Sequence, residues 1–171
     1  LKEHAIVVDS ISKRYSACGA RLGALVTKNA SVRNTVVKFA QARLSPPTIS
    51  QAIASAALDL PSSYFDDLVS EYNLRRKVLV EELNTIEGVK CPTPGGAFYV
   101  MAELPVDHAE RFCKWMLESF NHHGKTVMMA PGSGFYASPG RGEKQVRLAY
   151  VLKEDDLLIA MECLRQGLLA Y

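Results

Sequence analysis

A lysine set among hydroxyls and small residues is the part of this sequence best equipped for covalent chemistry. It is Lys13, within Ser10-Ile11-Ser12-Lys13-Arg14-Tyr15-Ser16-Ala17-Cys18-Gly19-Ala20-Arg21-Leu22-Gly23. A lysine amine condenses with an aldehyde only when unprotonated, a state favoured by desolvation or by positive charge nearby. Arg14 and Arg21 are placed in sequence to supply that charge. Ser10, Ser12 and Arg21 are also the types that hold a phosphate, because hydroxyls donate neutral hydrogen bonds and a guanidinium offers a charged fork. A lysine beside a phosphate cradle points to a phosphorylated cofactor that carries an aldehyde. The alternative is an ordinary Ser/Lys/Arg surface loop between two strands.

A second candidate is Arg147, in Gln145-Val146-Arg147-Leu148-Ala149-Tyr150. An arginine on a rigid strand can grip a carboxylate through two parallel hydrogen bonds. The same pattern also describes a charged gatekeeper on an edge strand. Pro94-Gly95-Gly96-Ala97-Phe98-Tyr99 reads as a glycine turn entering an aromatic strand. No metal site is expected, since His122 and His123 have no His or Cys at i+4 and the four cysteines form no C-x-x-C pair. The cysteines read as reduced thiols of a cytosolic protein.

These residues need elements to hold them. The run His4–Asp9 has the β-branched character of a buried strand, and Leu22–Thr27 reads as a second one. Two strands make too small a sheet to be stable alone. Val32, Val36, Phe39 and Ala40 recur at helical spacing between Ser31 and Leu44, and Pro46-Pro47 stop that helix. Thr48–Leu58 is a short apolar helix. Beyond Pro61, a long helix marked by Phe65, Leu68, Tyr72, Leu79, Leu83 and Ile86 ends near Gly88. Further on come a strand at 97–101, a helix at 107–120, strands at 126–129 and 145–151, and a closing helix through Leu157, Met161, Leu164 and Leu168. Asp107 and Glu110 have capping-box spacing. The pattern divides the chain into residues 1–60, a linking helix at 61–88, and an α+β domain at 89–171.

Apolar residues form 48% of the chain and charged residues 22%, so a packed core is expected rather than disorder. The formal charge is +2 and the basic residues are scattered, which points away from nucleic acid. No apolar run is long enough to span a bilayer.

The Lys13 segment resembles the cofactor-lysine signature of the class I and II aminotransferases, with small-x-small-Lys at Ser10 to Lys13 and x-Arg-aliphatic-Gly at Ala20 to Gly23. Val127–Phe135 with its Pro131-Gly132 loop, followed by the Arg147 strand, is similar to that family's C-terminal domain, and Pro94–Tyr99 to its Pro-x-Gly-x-Phe-Tyr strand start. The resemblance implies an α/β fold: the C-terminal part of a fold type I pyridoxal-phosphate enzyme, with the last strands of the large-domain sheet followed by a small α+β domain. It implies that Lys13 forms the Schiff base with pyridoxal 5'-phosphate, that Ser10, Ser12 and Arg21 lie near the phosphate, that Arg147 takes the substrate α-carboxylate, and that Phe98 lies near the substrate. A cytoplasmic homodimer acting on an amino acid, aspartate among the candidates, and a 2-oxo acid such as 2-oxoglutarate is likewise implied. Arg43, just before Pro46-Pro47, is similar in place to the arginine that reaches a partner subunit's site and meets the distal carboxylate in dicarboxylate aminotransferases, but its register does not match cleanly, and a solvated helix-end arginine is the default reading. The family's aspartate for the pyridinium nitrogen has no counterpart in these residues, so the chain alone is expected to be inactive. A lyase of the same fold and a non-catalytic interaction module remain the alternatives.

Overall fold

In the computed structural model, which describes residues 2–171, the chain forms two compact units that divide between Tyr64 and Phe65. In the first unit, β1 (Ile6–Ser10) pairs antiparallel with β2 (Gly23–Thr27), from Ile6 opposite Thr27 to Ser10 opposite Gly23. Between them lies a single helical turn, α1 (Ile11–Arg14), capped by Ser10, whose hydroxyl accepts from the Ser12 amide at 3.1 Å. Helix α2 (Ala30–Ala42) starts at Asn29, whose side chain accepts from the Val32 amide. It ends at Arg43, and Leu44 then turns to φ +63° ahead of Pro46-Pro47, from which α3 (Thr48–Ala57) departs.

The expectation of buried strands is overturned here. Val7, Val8 and Val26 are 57%, 76% and 63% exposed, and Ser50 is the one buried residue among those described in this unit. An apolar strand becomes buried only when layers cover both its faces. This two-stranded ribbon has no such cover within its own unit.

The second unit has a true core. It is built on α4 (Ser62–Thr85), β3 (Tyr99–Glu103), α5 (Ala109–Glu118), β4 (Ala130–Pro131), β5 (Gln145–Ala149) and α6 (Glu154–Ala170). The strands form an antiparallel sheet in the order β3-β5-β4. Residues alternate strictly, as the period of a strand requires. Val100, Ala102, Val146 and Leu148 point into the core, while Tyr99, Met101, Arg147 and Ala149 lie on the other face. Leu79 and Leu83 of α4, Phe112 and Met116 of α5, and Met161 and Leu164 of α6 pack against the inner face and are essentially inaccessible. α4 is followed by Gly88 at φ +77°, where a Cβ would stand 2.8 Å from that of Pro105. Glycine is the residue that suits such a helix exit.

Three local expectations change. The segment 126–129 is not a strand; pairing begins only at Ala130. The cap of α5 is His108, whose Nδ1 accepts from the Glu110 amide, while Asp107 pairs instead with Arg111 at 2.7 Å. Finally, Lys13 lies on a helical turn and not in an open loop.

Candidate active site

Lys13 sits at the end of β1, lifted onto α1 by the Ser10 cap. The hydroxyls of Ser10 and Ser12 are 2.8 Å apart, and the Ser10 hydroxyl can also donate to the Leu22 carbonyl at 3.3 Å. Arg21 adopts the left-handed conformation at φ +53° and donates through one terminal nitrogen to the Cys18 carbonyl at 3.1 Å. A guanidinium has five N–H groups, so this bond leaves donors over. The crossing of β1 and β2 beside the site is tight: a Cβ on Gly23 would stand 2.8 Å from the Asp9 carbonyl oxygen. That explains a glycine at this position of the motif. Chemically the set fits a phosphate with an aldehyde carbon near it: hydroxyls and one guanidinium as donors, and a primary amine.

Two features differ from the simplest expectation. Arg14 forms an ion pair with Asp9 at 2.7 Å, so its charge is offset locally and Arg21 is left as the cation of the motif with no carboxylate partner among the described residues. A cleft of about 480 Å³ opens beside β1 and α3, with Ser10, Arg14, Tyr15, Gln51 and Ser55 in its walls, but Ser12, Lys13 and Arg21 do not line it. Lys13 itself is exposed. Arg43 is an exposed residue closing α2.

Arg147 belongs to the second unit. It lies on β5, the middle strand of the sheet, opposite Met101 on β3 and Ala130 on β4. That position removes the edge-strand gatekeeper reading. Its guanidinium carbon is 4.4 Å from the ring centre of Tyr99 and 4.4 Å from that of Phe135. Among the described residues no carboxylate pairs with it and no hydrogen bond engages its side chain. Phe98 lies just before β3, half-buried and packed on Tyr99 at 4.5 Å and on Tyr72 at 5.8 Å. Ala97 precedes it at φ +58°, and its carbonyl accepts from the buried Tyr150 hydroxyl at 2.8 Å.

Sequence reasoning missed Tyr99 and Phe135 as neighbours of Arg147. Only the register of β3 against β5 brings Tyr99 within reach, although its place in the aromatic strand start was a signal. Phe135 arrives through a 3-10 turn at 133–135, a conformation that no periodicity announces.

A family model described as Aminotransferase class I and II matches residues 2–164. An aspartate aminotransferase of Rhizobium meliloti is 30% identical over 174 residues, covering 95% of this chain and 40% of that protein. The crystal structure of a Rhizobium meliloti aspartate aminotransferase superposes with a TM-score of 0.80 at 28% identity, covering 98% of this chain and 42% of the other. An α-aminoadipate aminotransferase of Thermus thermophilus, solved as a complex with N-(5'-phosphopyridoxyl)-L-leucine, gives 0.81 at 25% identity over 96% of this chain and 42% of its own. The chain thus spans about two fifths of the length of these relatives.

Proposed function

The chain belongs to the class I and II aminotransferases, and on that premise we propose that the whole protein carrying it moves an amino group from an amino acid to a 2-oxo acid with pyridoxal 5'-phosphate as cofactor. It has the α/β fold of the type I enzymes. Aspartate and 2-oxoglutarate are the substrates we favour, because the relatives compared include enzymes named for aspartate. Residues 1–60 then belong to the cofactor-binding domain, 61–88 link, and 89–171 form the small domain. We assign turnover to the whole protein, a cytosolic homodimer, rather than to these residues alone, since they span about two fifths of its relatives.

The observation that carries the reading is the donor set at the end of β1. Ser10, Ser12 and Arg21 would hold the phosphate, and the Lys13 amine would bind the cofactor's aldehyde. The cofactor would supply an electron sink for the pair left on the substrate α-carbon. Lys13 Nζ, when free, would serve as the base that takes up the substrate α-proton. Arg147 would take the α-carboxylate through two parallel bonds in the plane of its guanidinium. Phe98 would add an apolar wall near the substrate.

The test is to treat the whole protein with pyridoxal phosphate, reduce with borohydride, and locate the modified lysine by peptide mass. One stoichiometric adduct on Lys13 is expected, and Lys13→Ala should abolish it. Label spread over many lysines, or none on Lys13, overturns the assignment.

A further inference from the structure

Arg147 is held in a way that its own strand does not explain. A guanidinium on a long flexible stem has rotamer freedom that is lost whenever it must grip a ligand in one geometry. Here the loss is already taken. Its guanidinium carbon lies over two rings, 4.4 Å from the centre of Tyr99 and 4.4 Å from that of Phe135, well inside the roughly 6 Å range of cation–π attraction. The N–H groups of a guanidinium lie in its own plane, the direction from which a planar carboxylate makes two parallel bonds, so contact with rings restrains the group without using those donors.

Each ring has its own support. Tyr99 leans on Phe98 at 4.5 Å, Phe98 stacks on Tyr72 at 5.8 Å, and Tyr72 meets the buried Tyr150 edge-on at 6.3 Å. Phe135 is 48% exposed and has no core to hold it, yet the turn beneath it is latched. The Gly132 amide donates to the Gln145 carbonyl at 2.6 Å, and the Tyr136 hydroxyl donates to the Gln145 side-chain oxygen at 2.6 Å. Gly142, at φ +74°, passes so close that a Cβ there would stand 2.6 Å from the Tyr136 ring. The latch joins the strand that bears Arg147 to the turn that bears Phe135.

We propose that Tyr99 and Phe135 are positioning residues that preset the Arg147 guanidinium for the substrate α-carboxylate. The proposal rests on the assignment of Arg147 as the carboxylate-binding residue. An exposed aromatic residue that loses half of such a clamp weakens it by about threefold to fivefold in equilibrium terms.

The experiment uses the whole protein loaded with pyridoxal phosphate, and it measures KM and kcat for one amino-acid donor in four variants. Phe135→Leu and Tyr99→Leu should each raise KM about fivefold with kcat within about twofold, whereas Phe135→Tyr, which keeps the ring, should stay within about twofold of the parent. The cofactor absorption spectrum and the unfolding midpoint should not move in Phe135→Leu, which separates positioning from a structural role. A KM unchanged in both leucine variants, or kcat and midpoint falling together, overturns the clamp. Arg147→Gln is the control: a large rise in its KM beside unaffected leucine variants sinks the clamp alone, and no rise sinks the Arg147 assignment itself.

Discussion

Tyr150 joins the core of the second unit to the turn that delivers Tyr99, and removing its hydroxyl tests how far that turn depends on one bond. The ring is 1% exposed, and its hydroxyl donates at 2.8 Å to the carbonyl of Ala97, a non-glycine residue at φ +58°. Tyr150→Phe keeps the edge contact with Tyr72 and deletes only the bond. The bond itself contributes about 0.5–1.5 kcal/mol net. Ala97 is held in a conformation that costs about 1 kcal/mol, and whatever part of that strain relaxes once the tether goes offsets part of the lost bond. The net is a destabilisation of about 0.5–1 kcal/mol, or about 2–8 °C in midpoint for a unit of roughly 100 residues. The sole tryptophan, Trp115, lies in α5, so thermal unfolding followed by its fluorescence reads the second unit by itself. Ala97→Gly should act in the opposite direction, stabilising by up to about 1 kcal/mol, because glycine adopts positive φ without penalty. A midpoint shift below about 1 °C in Tyr150→Phe, or destabilisation by Ala97→Gly, would refute the view of this turn as strained and tethered.

Three further outcomes follow from the same structure. Burial pushes the Cys113 thiol up to about 11 from 9.0, so the stability gained by keeping it neutral is intact below about pH 9 and is lost as pH rises through about 11. Urea titrations of the chain and of Cys113→Ala between pH 8 and 11 should show the wild type losing stability more steeply; parallel curves would count against it. Leu83→Ala empties a fully buried site between α4 and the sheet and should cost about 2–5 kcal/mol in the same Trp115 assay, with less than about 1 kcal/mol contradicting the core assignment. Brief trypsin treatment of the isolated chain should destroy the first unit, where Lys13, Arg14, Arg21, Lys28 and Arg33 are exposed and no apolar core forms, while a piece containing Trp115 survives. Equal survival of both units would be inconsistent with the exposure of Val7, Val8 and Val26.

What the sequence determined by itself is whatever depends on near neighbours in the chain. Helical spacing in Leu79, Leu83 and Ile86, proline stops at Pro46-Pro47 and the helix exit at Gly88 are encoded within a few residues, so α2, α3, α4 and α6 could be read directly. The Lys13 motif was legible for the same reason, since Ser10, Ser12, Lys13, Arg21 and Gly23 lie in one continuous run whose spacing carries the chemistry. Three things were decided only by tertiary structure. The apolar character of β1 and β2 states a need for cover but not whether cover is present, and in this unit it is not. The Asp9–Arg14 pair, five positions apart at the junction of a strand and a helical turn, took charge away from the lysine loop. The setting of Arg147 depends on the register Met101 opposite Arg147 and on a turn 12 residues upstream that carries Phe135, and strand register is a long-range choice made by matching buried faces rather than by local sequence.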